Sequence, residues 1–495
     1  MRVHFIGVGG YGMSGLAEAN WARGDIVTGC DARDNSRTRR LSKLGVKVCI
    51  GHGPDHVEAQ DRVVYSTDVP QENPELERAR ARGIPVLHRS EVLAEFVGEG
   101  ERSVVVTGTH GKTTTTTLVT HLLAAAGYDP TGIVGGEVDA WGGGVRLGSR
   151  RVVVAEGDES DGSFLRYHPH VAVVTHMEPE HLEHYGMDFE RVVNAYGQFL
   201  SQVAPDGTAV VWYGLPRLHT LLGRVSACVR TYGYGEREDG DGRRDEGQPG
   251  SGRGEDGANR VRSEERGGEP PWIRAAEVRA SSRGLTFEVI RQGRNLGSVF
   301  VPLHGLHNVR NTLAALEVAL TLGAPWPSLV EGLATFANAH RRFEILARSG
   351  DITVVDDYAH HPTEIRSVIA AARELEPRRI VAVFQPQRYI RTQNLWQEFV
   401  TAFDGADEVI LTEIYAPAGE ERIPGVSGEA LARAIAFRHP SVAYAPSLDD
   451  VAFRLLKDVR PGDLVLTMGA GDVYRVGQTL GEHVLRLGVE GGAVG

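Results

Sequence analysis

Ser103-Val-Val-Val-Thr-Gly-Thr-His-Gly-Lys-Thr113 is the stretch that decides the architecture of this chain. Val104, Val105 and Val106 are β-branched and apolar, as in a buried strand. The chain then turns through Gly108-Thr109-His110-Gly111-Lys112-Thr113 into a helix-length run, Thr114 to Ala126, that ends at Gly127. A strand, a glycine turn and a helix start make a phosphate cradle. Backbone N–H groups point inward, the helix N-terminus is partly positive, Lys112 adds a full charge, and the Thr113 hydroxyl can hold a magnesium ion. Position 106 is Val, so the common loop, with four residues between its glycines, is shortened to Gly-x-x-Gly-Lys-Thr. The competing reading is a plain Gly/Thr turn before a core helix, and the run Thr113 to Thr117 forms helix weakly. The strand-turn-helix context favours nucleotide binding, with ATP as the expected ligand.

The 495 residues around this stretch suggest about three domains of ~150 residues. The formal net charge of −12 disfavours nonspecific attraction to nucleic acid or to an anionic membrane. Cys30, Cys49 and Cys228 are scattered without metal-ligand spacing, which suits a reducing compartment. The first residues enter a strand at once, and no apolar stretch approaches ~20 residues. The expectation is a cytoplasmic protein that meets neither nucleic acid nor membrane.

Short strands alternate with helices on both sides of the cradle, the pattern of parallel α/β domains. Residues 1–98 form a first unit, Gly98-Glu-Gly-Glu101 a linker, 103–339 a second unit and 340–495 a third. Residues 236–270 are dominated by Glu, Asp, Arg, Gly and Ser. Such a segment buries too little apolar surface to offset the entropy of ordering, so a disordered surface insertion is expected.

Each unit carries further candidate chemistry. Gly7-Val-Gly-Gly-Tyr-Gly-Met-Ser-Gly15 follows the first strand, and Asp31 follows the second. Gly7, Gly9 and Gly12 fit Gly-x-Gly-x-x-Gly, which suggests NAD but serves any diphosphate at a helix N-terminus. Glu156-Gly-Asp-Glu-Ser-Asp161 places oxygen ligands at a strand end, where they suit magnesium; a solvated acidic loop is the bland account. Thr175-His-Met-Glu-Pro-Glu-His181 brings imidazole and carboxylate to the next strand end. In His304-Gly-Leu-His-Asn-Val-Arg-Asn311, the amides of Asn308 and Asn311 sit three apart, where they can meet a nucleotide base; capping by Asn308 explains it equally well. Asp356-Asp-Tyr-Ala-His-His-Pro362, Gln385-Pro-Gln-Arg-Tyr-Ile-Arg391 and Met468-Gly-Ala-Gly-Asp472 also follow strands. Arginines three apart can clamp a carboxylate.

Taken in order, these motifs resemble those of the Mur ligase family over nearly the whole chain. The resemblance implies an α/β chain of three domains: a Rossmann-like UDP-binding domain, a P-loop-type central ATPase domain and a Rossmann-like C-terminal domain. It implies an ATP-dependent ligase of peptidoglycan precursor synthesis that joins L-alanine to the lactyl carboxylate of UDP-N-acetylmuramate through an acyl phosphate. The first glycine loop then holds UDP, not NAD, through Gly7, Gly9, Gly10, Gly12, Met13, Ser14, Asp31 and Ser66. Gly108 to Thr114, Asn308, Asn311, Arg342, Asp356 and Asp357 serve ATP. Thr113, Glu156 and His181 surround Mg2+. Tyr358, His360, Arg388 and Arg391 lie on the alanine side, and Lys112, Glu156 and His181 belong to the catalytic set. A monomer or homodimer is implied.

The sequence departs from the family pattern at His176, Glu180, Gln387 and Ile390. These changes keep two alternatives open: a ligase that adds another amino acid or a peptide, and a weakly active UDP-sugar sensor.

Overall fold

The computed structural model describes residues 1–149, 151–234, 270–349, 351–416 and 420–492. The polar segment 236–270 lies outside the described residues except for Pro270. Three sheets follow one another along the chain.

The first has five parallel strands in the order Lys47–Ile50, Ile26–Asp31, Arg2–Ile6, Arg62–Tyr65 and Val86–His88. Strand order reverses at the carboxyl end of Arg2–Ile6, which opens a crevice where the first glycine turn sits. The helix Arg89–Glu99 closes this unit and consumes Gly98, so the expected linker shrinks to Gly100 and Glu101. Val92 and Phe96 of that helix share one apolar cluster with Val105 and Phe164 of the next unit. The first two sheets are therefore joined by a common core.

The second sheet has ten strands. Its parallel centre places Arg102–Thr107 between Val171–Val174 and Val152–Glu156. Val104 and Val106 face one helical layer and Val105 the other, so strand alternation fills both cores. At one edge Ile273–Ser281, Gly284–Arg291 and Arg294–Val301 form an antiparallel meander. At the other edge Gly143–Arg146 runs antiparallel to Thr131–Val138.

The third sheet runs Glu344–Ser349, Ile352–Asp357, Asp463–Met468, Arg379–Phe384, Glu408–Leu411 and Val442–Tyr444, with only the first strand antiparallel.

Three helices start earlier than the residue pattern suggests, which places their starts at Ser14, Thr114 and Thr312. They span Tyr11–Ala22, Lys112–Ala125 and Leu306–Thr321. Each begins directly after a glycine, Gly10, Gly111 or Gly305, whose backbone serves as the N-cap. All five threonines from Thr113 to Thr117 lie inside the second of these helices and are buried. The hydroxyls of Thr116, Thr117 and Thr120 each donate to the carbonyl four residues back, which satisfies them without solvent. Tertiary burial here overrides weak local propensity.

Candidate active site

The carboxyl ends of all three sheets meet at one cleft of about 690 Å³. Its floor is the turn after Arg102–Thr107. Gly108 has φ +137° and Gly111 has φ +80°, conformations that favour glycine. A Cβ on Gly108 would lie 2.2 Å from Thr175 Oγ1 and 2.8 Å from the His176 amide nitrogen. The turn thus nests against the neighbouring strand end, and the helix N-terminus at Lys112 opens into the cleft.

Lys112 Nζ donates to the carbonyl of Gly108 at 2.6 Å and lies 2.9 Å from Glu159 Oε2. Burial works against its charge, but Glu159, Glu156 and Asp158 outweigh burial and hold the ammonium above its ordinary value. Thr113 Oγ1 donates to Glu156 Oε2 at 3.0 Å, and the Gly135 amide donates to the same oxygen at 2.9 Å. The pairing of Glu156 with Val106 across adjacent parallel strands sets this contact.

The acidic loop is divided among partners. Glu159 takes Lys112, Asp158 takes Arg89 of the first domain, and Asp161 accepts from Thr67 Oγ1 at 2.9 Å. Burial opposes the charge of Asp158, yet Arg89 and Lys112 hold it well below the usual carboxylate range. The loop is therefore a junction between two domains as well as a neighbour of the cradle.

On the far wall, His110 connects the cradle to the third domain. Its Nε2 contacts Glu178, and its Nδ1 lies 3.0 Å from Glu364 Oε1. Burial disfavours the imidazolium, but Glu364 and Glu178 push His110 up to about 10. Nearby His176 is driven down to about 3 by burial and by the His110 charge, and accepts from Thr109 Oγ1 at 2.8 Å. His181 has φ +55° and lies 3.6 Å from Glu180 and 3.9 Å from Glu183. Burial opposes its charge, but Glu183 and Glu180 raise it above the usual imidazole value.

The third sheet supplies the opposite wall. Arg341 is bound by Asp356 at 2.8 Å and stacks over Tyr358 and Tyr474. Arg342 lies over Tyr358 on the cleft side, 3.4 Å from Thr113 Oγ1. Arg391 lies 3.6 Å from Glu180 and hydrogen-bonds Gln387. His360 is pushed down to about 4 by burial. Asp357 accepts from the amides of Phe343 and Ala359, both at 2.7 Å, yet burial pushes it up to about 7.

The cleft brings together Gly10, Gly12, Met13, Ser66, Thr109, His110, Gly111, Lys112, Thr113, Glu156, His181, Arg342, Tyr358, His360, Arg388 and Arg391. An adjoining hollow of about 100 Å³ takes Thr114, Asn308, Asn311 and Asp357. Asn308 is no cap, because its helix begins at Leu306. Its amide donates to the His304 carbonyl at 2.7 Å and accepts from Asn311 at 2.9 Å.

Four expected UDP contacts stand back from the main cleft. Both amides of Gly7 and Val8 donate to the Cys30 carbonyl, the Gly9 amide donates to Asp31, and Ser14 Oγ donates to the Tyr11 carbonyl. Gly7, Gly9 and Asp31 therefore shape the turn. The open donors lie one step on, at the first helical residues Tyr11, Gly12 and Met13, which have no carbonyl four residues back in the helix. Asp356 is likewise withdrawn, since Arg341 and Thr467 take its carboxylate. Gly108 lies beneath the floor and offers its carbonyl to Lys112.

Sequence reasoning missed Arg89, His340 and Arg341. His340 lies 2.6 Å from Asp139 and 3.0 Å from Glu344, and so ties the second domain to the third. Only the placement of Arg341 beside Arg342 at the start of the third unit could have drawn notice.

Fold and cleft together define a three-domain α/β enzyme built around a phosphate cradle. The chain belongs to the Mur ligase family. Profiles described as the Mur ligase family catalytic domain, the Mur ligase middle domain and the Mur ligase glutamate ligase domain match residues 2–100, 106–319 and 341–471. It is 48% identical to a UDP-N-acetylmuramate–L-alanine ligase from Symbiobacterium thermophilum, over 97% of this chain and 94% of that protein. It is 43% identical to the protein of the same name from Gloeobacter violaceus, over 96% of this chain and 94% of that one. Among solved structures, the UDP-N-acetylmuramate-alanine ligase MurC from Thermotoga maritima superposes with a TM-score of 0.79 at 27% identity, covering 98% of this chain and 99% of that one. MurF ligase from the same organism, in complex with ADP, shares the fold with a TM-score of 0.62 at 16% identity, covering 88% and 97%.

Proposed function

We propose that this chain joins L-alanine to the lactyl carboxylate of UDP-N-acetylmuramate at the expense of ATP, as a step in peptidoglycan precursor synthesis. One observation carries the reading. The cradle of Lys112 and Thr113 opens onto the same cleft as Arg388 and Arg391, with the helix start at Gly12 and Met13 completing its rim. A phosphate donor, an acid and an amine can therefore meet in one enclosure.

A carboxylate is a poor electrophile, and transfer of a phosphoryl group from ATP turns it into an acyl phosphate, from whose acyl carbon an amine displaces phosphate. Lys112 and the amides at the helix start stabilise the negative charge that spreads over the transferring group. Arg342, above Thr113, adds a second cation from the third domain. The hydroxyl of Thr113 and the carboxylate of Glu156 are hard oxygen donors 3.0 Å apart, which suits Mg2+. His181, which lines the same cleft, is the third member of that neighbourhood in this reading. When bound, Mg2+ would neutralise phosphate charge. Tyr11, Gly12 and Met13 offer amides to the UDP diphosphate. Arg388 and Arg391 orient the alanine carboxylate. Asn308, Asn311 and Asp357 line the hollow where the adenosine part of ATP fits.

The test is ADP release by the purified chain with UDP-N-acetylmuramate, with and without L-alanine, and with glycine or serine in its place. Alanine-dependent turnover is expected. Turnover with another amino acid alone, or none at all, overturns the reading.

A further inference from the structure

Behind the first glycine turn, on the side away from the cleft, three segments of the first domain and one loop bring His4, Cys30, His52, His56 and Glu75 together. No spacing in the chain announces this group, because the cysteines lack metal spacing and the ligands come from separate elements. Glu75 lies in the first turn of the helix Pro74–Ala81 with its side chain fully buried. Its Oε2 accepts from Cys30 Sγ at 2.6 Å and lies 3.4 Å from His52 Nδ1 and 3.7 Å from His4 Nε2. Cys30 Sγ is 3.3 Å from His52 Nδ1. The other carboxylate oxygen of Glu75 meets the Gly53 amide at 3.1 Å and His56 Nδ1 at 2.5 Å.

Hydrogen bonding accounts for every member of this group but one. His4 Nδ1 is engaged with Thr28 Oγ1 at 2.8 Å, which fixes the ring. Its Nε2 then faces the cluster 3.7 Å from Glu75 Oε2, too far for a good hydrogen bond, on a residue only 1% exposed. Buried polar atoms are rarely left so, and one without a partner marks an unfilled role. In the tautomer whose Nδ1 donates to Thr28 Oγ1, Nε2 presents a lone pair to the cluster. The ligand atoms of His4, Cys30 and Glu75 all lie within 4.8 Å of one another.

We propose that His4, Cys30 and Glu75 bind one zinc ion, with His52 moving in from the rim to complete the tetrahedron. With zinc–nitrogen, zinc–oxygen and zinc–sulfur bonds of ordinary length, ligand atoms in a tetrahedron stand about 3.3–3.8 Å apart. The distances of His52 and His4 from Glu75 Oε2, 3.4 and 3.7 Å, and of His52 from Cys30 Sγ, 3.3 Å, already fall in that range. The Cys30–Glu75 contact is shorter because the thiol proton bridges it. On binding, the S–H bond breaks, the proton leaves to solvent, a sulfur–zinc bond forms, and the contact opens by about 1 Å. Thiolate with imidazole selects zinc over magnesium or calcium. His56 holds the second carboxylate oxygen and fixes the orientation of Glu75 from outside. His52, 27% exposed at its side chain, is the point of entry. The ion would sit directly behind the carbonyl of Cys30 that holds the amides of Gly7 and Val8, and so would brace the turn.

The full chain, stripped with chelator, is titrated with Co2+ as a spectroscopic probe and then with Zn2+. One equivalent of Co2+ is expected to give a thiolate charge-transfer band and intense tetrahedral visible bands, both displaced by one equivalent of Zn2+. Cys30→Ser is expected to abolish the charge-transfer band, whereas Cys49→Ser and Cys228→Ser retain it. The oxygen donors of the cleft carry no thiol and cannot produce it. His52→Ala, at the rim, is expected to weaken Zn2+ binding at least tenfold, and it serves as the independent variant if Cys30→Ser does not fold. Absence of a thiolate band in the parent chain, its survival in a folded Cys30→Ser variant, or unchanged Zn2+ affinity in His52→Ala overturns the site.

Discussion

Lys112 Nζ lies 2.9 Å from Glu159 Oε2, and both groups are largely withdrawn from solvent. The cation that serves the phosphate cradle is thus held by a carboxylate of the neighbouring acidic loop. That loop is in turn held to the first domain through Asp158 and Arg89. A phosphate arriving at the cradle meets a charge already oriented.

Lys112→Ala is expected to lower ADP formation by about 10²–10³-fold, the usual effect of removing one charge-stabilising donor. If, as proposed, the UDP-sugar is held through the first domain, its affinity, measured by calorimetric titration, should change by no more than about twofold. Equal loss of both would show that the two sites are not separate.

Gly108→Ala places a Cβ 2.2 Å from Thr175 Oγ1 at a backbone angle of φ +137°. Strain at such a position costs about 1–3 kcal/mol. A lower midpoint in thermal melting is expected, together with more than about tenfold weaker nucleotide binding, since the turn must shift to admit the methyl.

His340 is pushed up to about 9, chiefly by its hydrogen bond to Glu344 and further by Asp139. In the unfolded chain it returns to an ordinary value near 6.5. Its raised value therefore contributes stability that is complete below pH 6.5 and is lost as pH rises through about 9. Urea melts of the parent chain and of His340→Gln should differ most in mild acid and converge above about pH 9. A gap that stays constant with pH would exclude this tie.

Arg391→Ala is expected to raise KM for L-alanine at least tenfold, while the Kd for ATP is little changed. Steady-state kinetics at saturating ATP, paired with nucleotide titration, separates the two. A loss confined to ATP binding would move Arg391 out of the amino-acid side.

Deletion of residues 240–268 is expected to leave turnover within about twofold. The flanking strands pair in parallel at Tyr232 and Ile273. Residues 235–239 and 269–272 remain to connect them, and each can span about 3.3 Å. Measured kcat and melting midpoint check this together.

Much of the cleft was legible because its parts are local. Strand, glycine turn and helix start are contiguous in sequence, and the order of the strand-end motifs carried the family. Pairings across domains were not legible. Arg89 meets Asp158 and His340 meets Asp139 only after two separate units have docked, and no spacing in the chain reports that. Asp356 illustrates the converse. The family resemblance implied a nucleotide contact for it, but Arg341, brought alongside by the antiparallel strand Glu344–Ser349, takes its carboxylate instead. The helix starts were misplaced because glycine supplied the caps, where side-chain caps are the readable signal.

The run of threonines after Lys112 has a consequence for how the molecule assembles. Five β-branched residues in succession give the isolated segment little tendency to form helix, and the hydroxyls of Thr116 and Thr117 find their carbonyls only once the helix exists. Nucleation must therefore come from the valine strands that flank it. The cradle is expected to form only together with the central sheet, and a nascent chain to capture nucleotide only once that sheet has condensed.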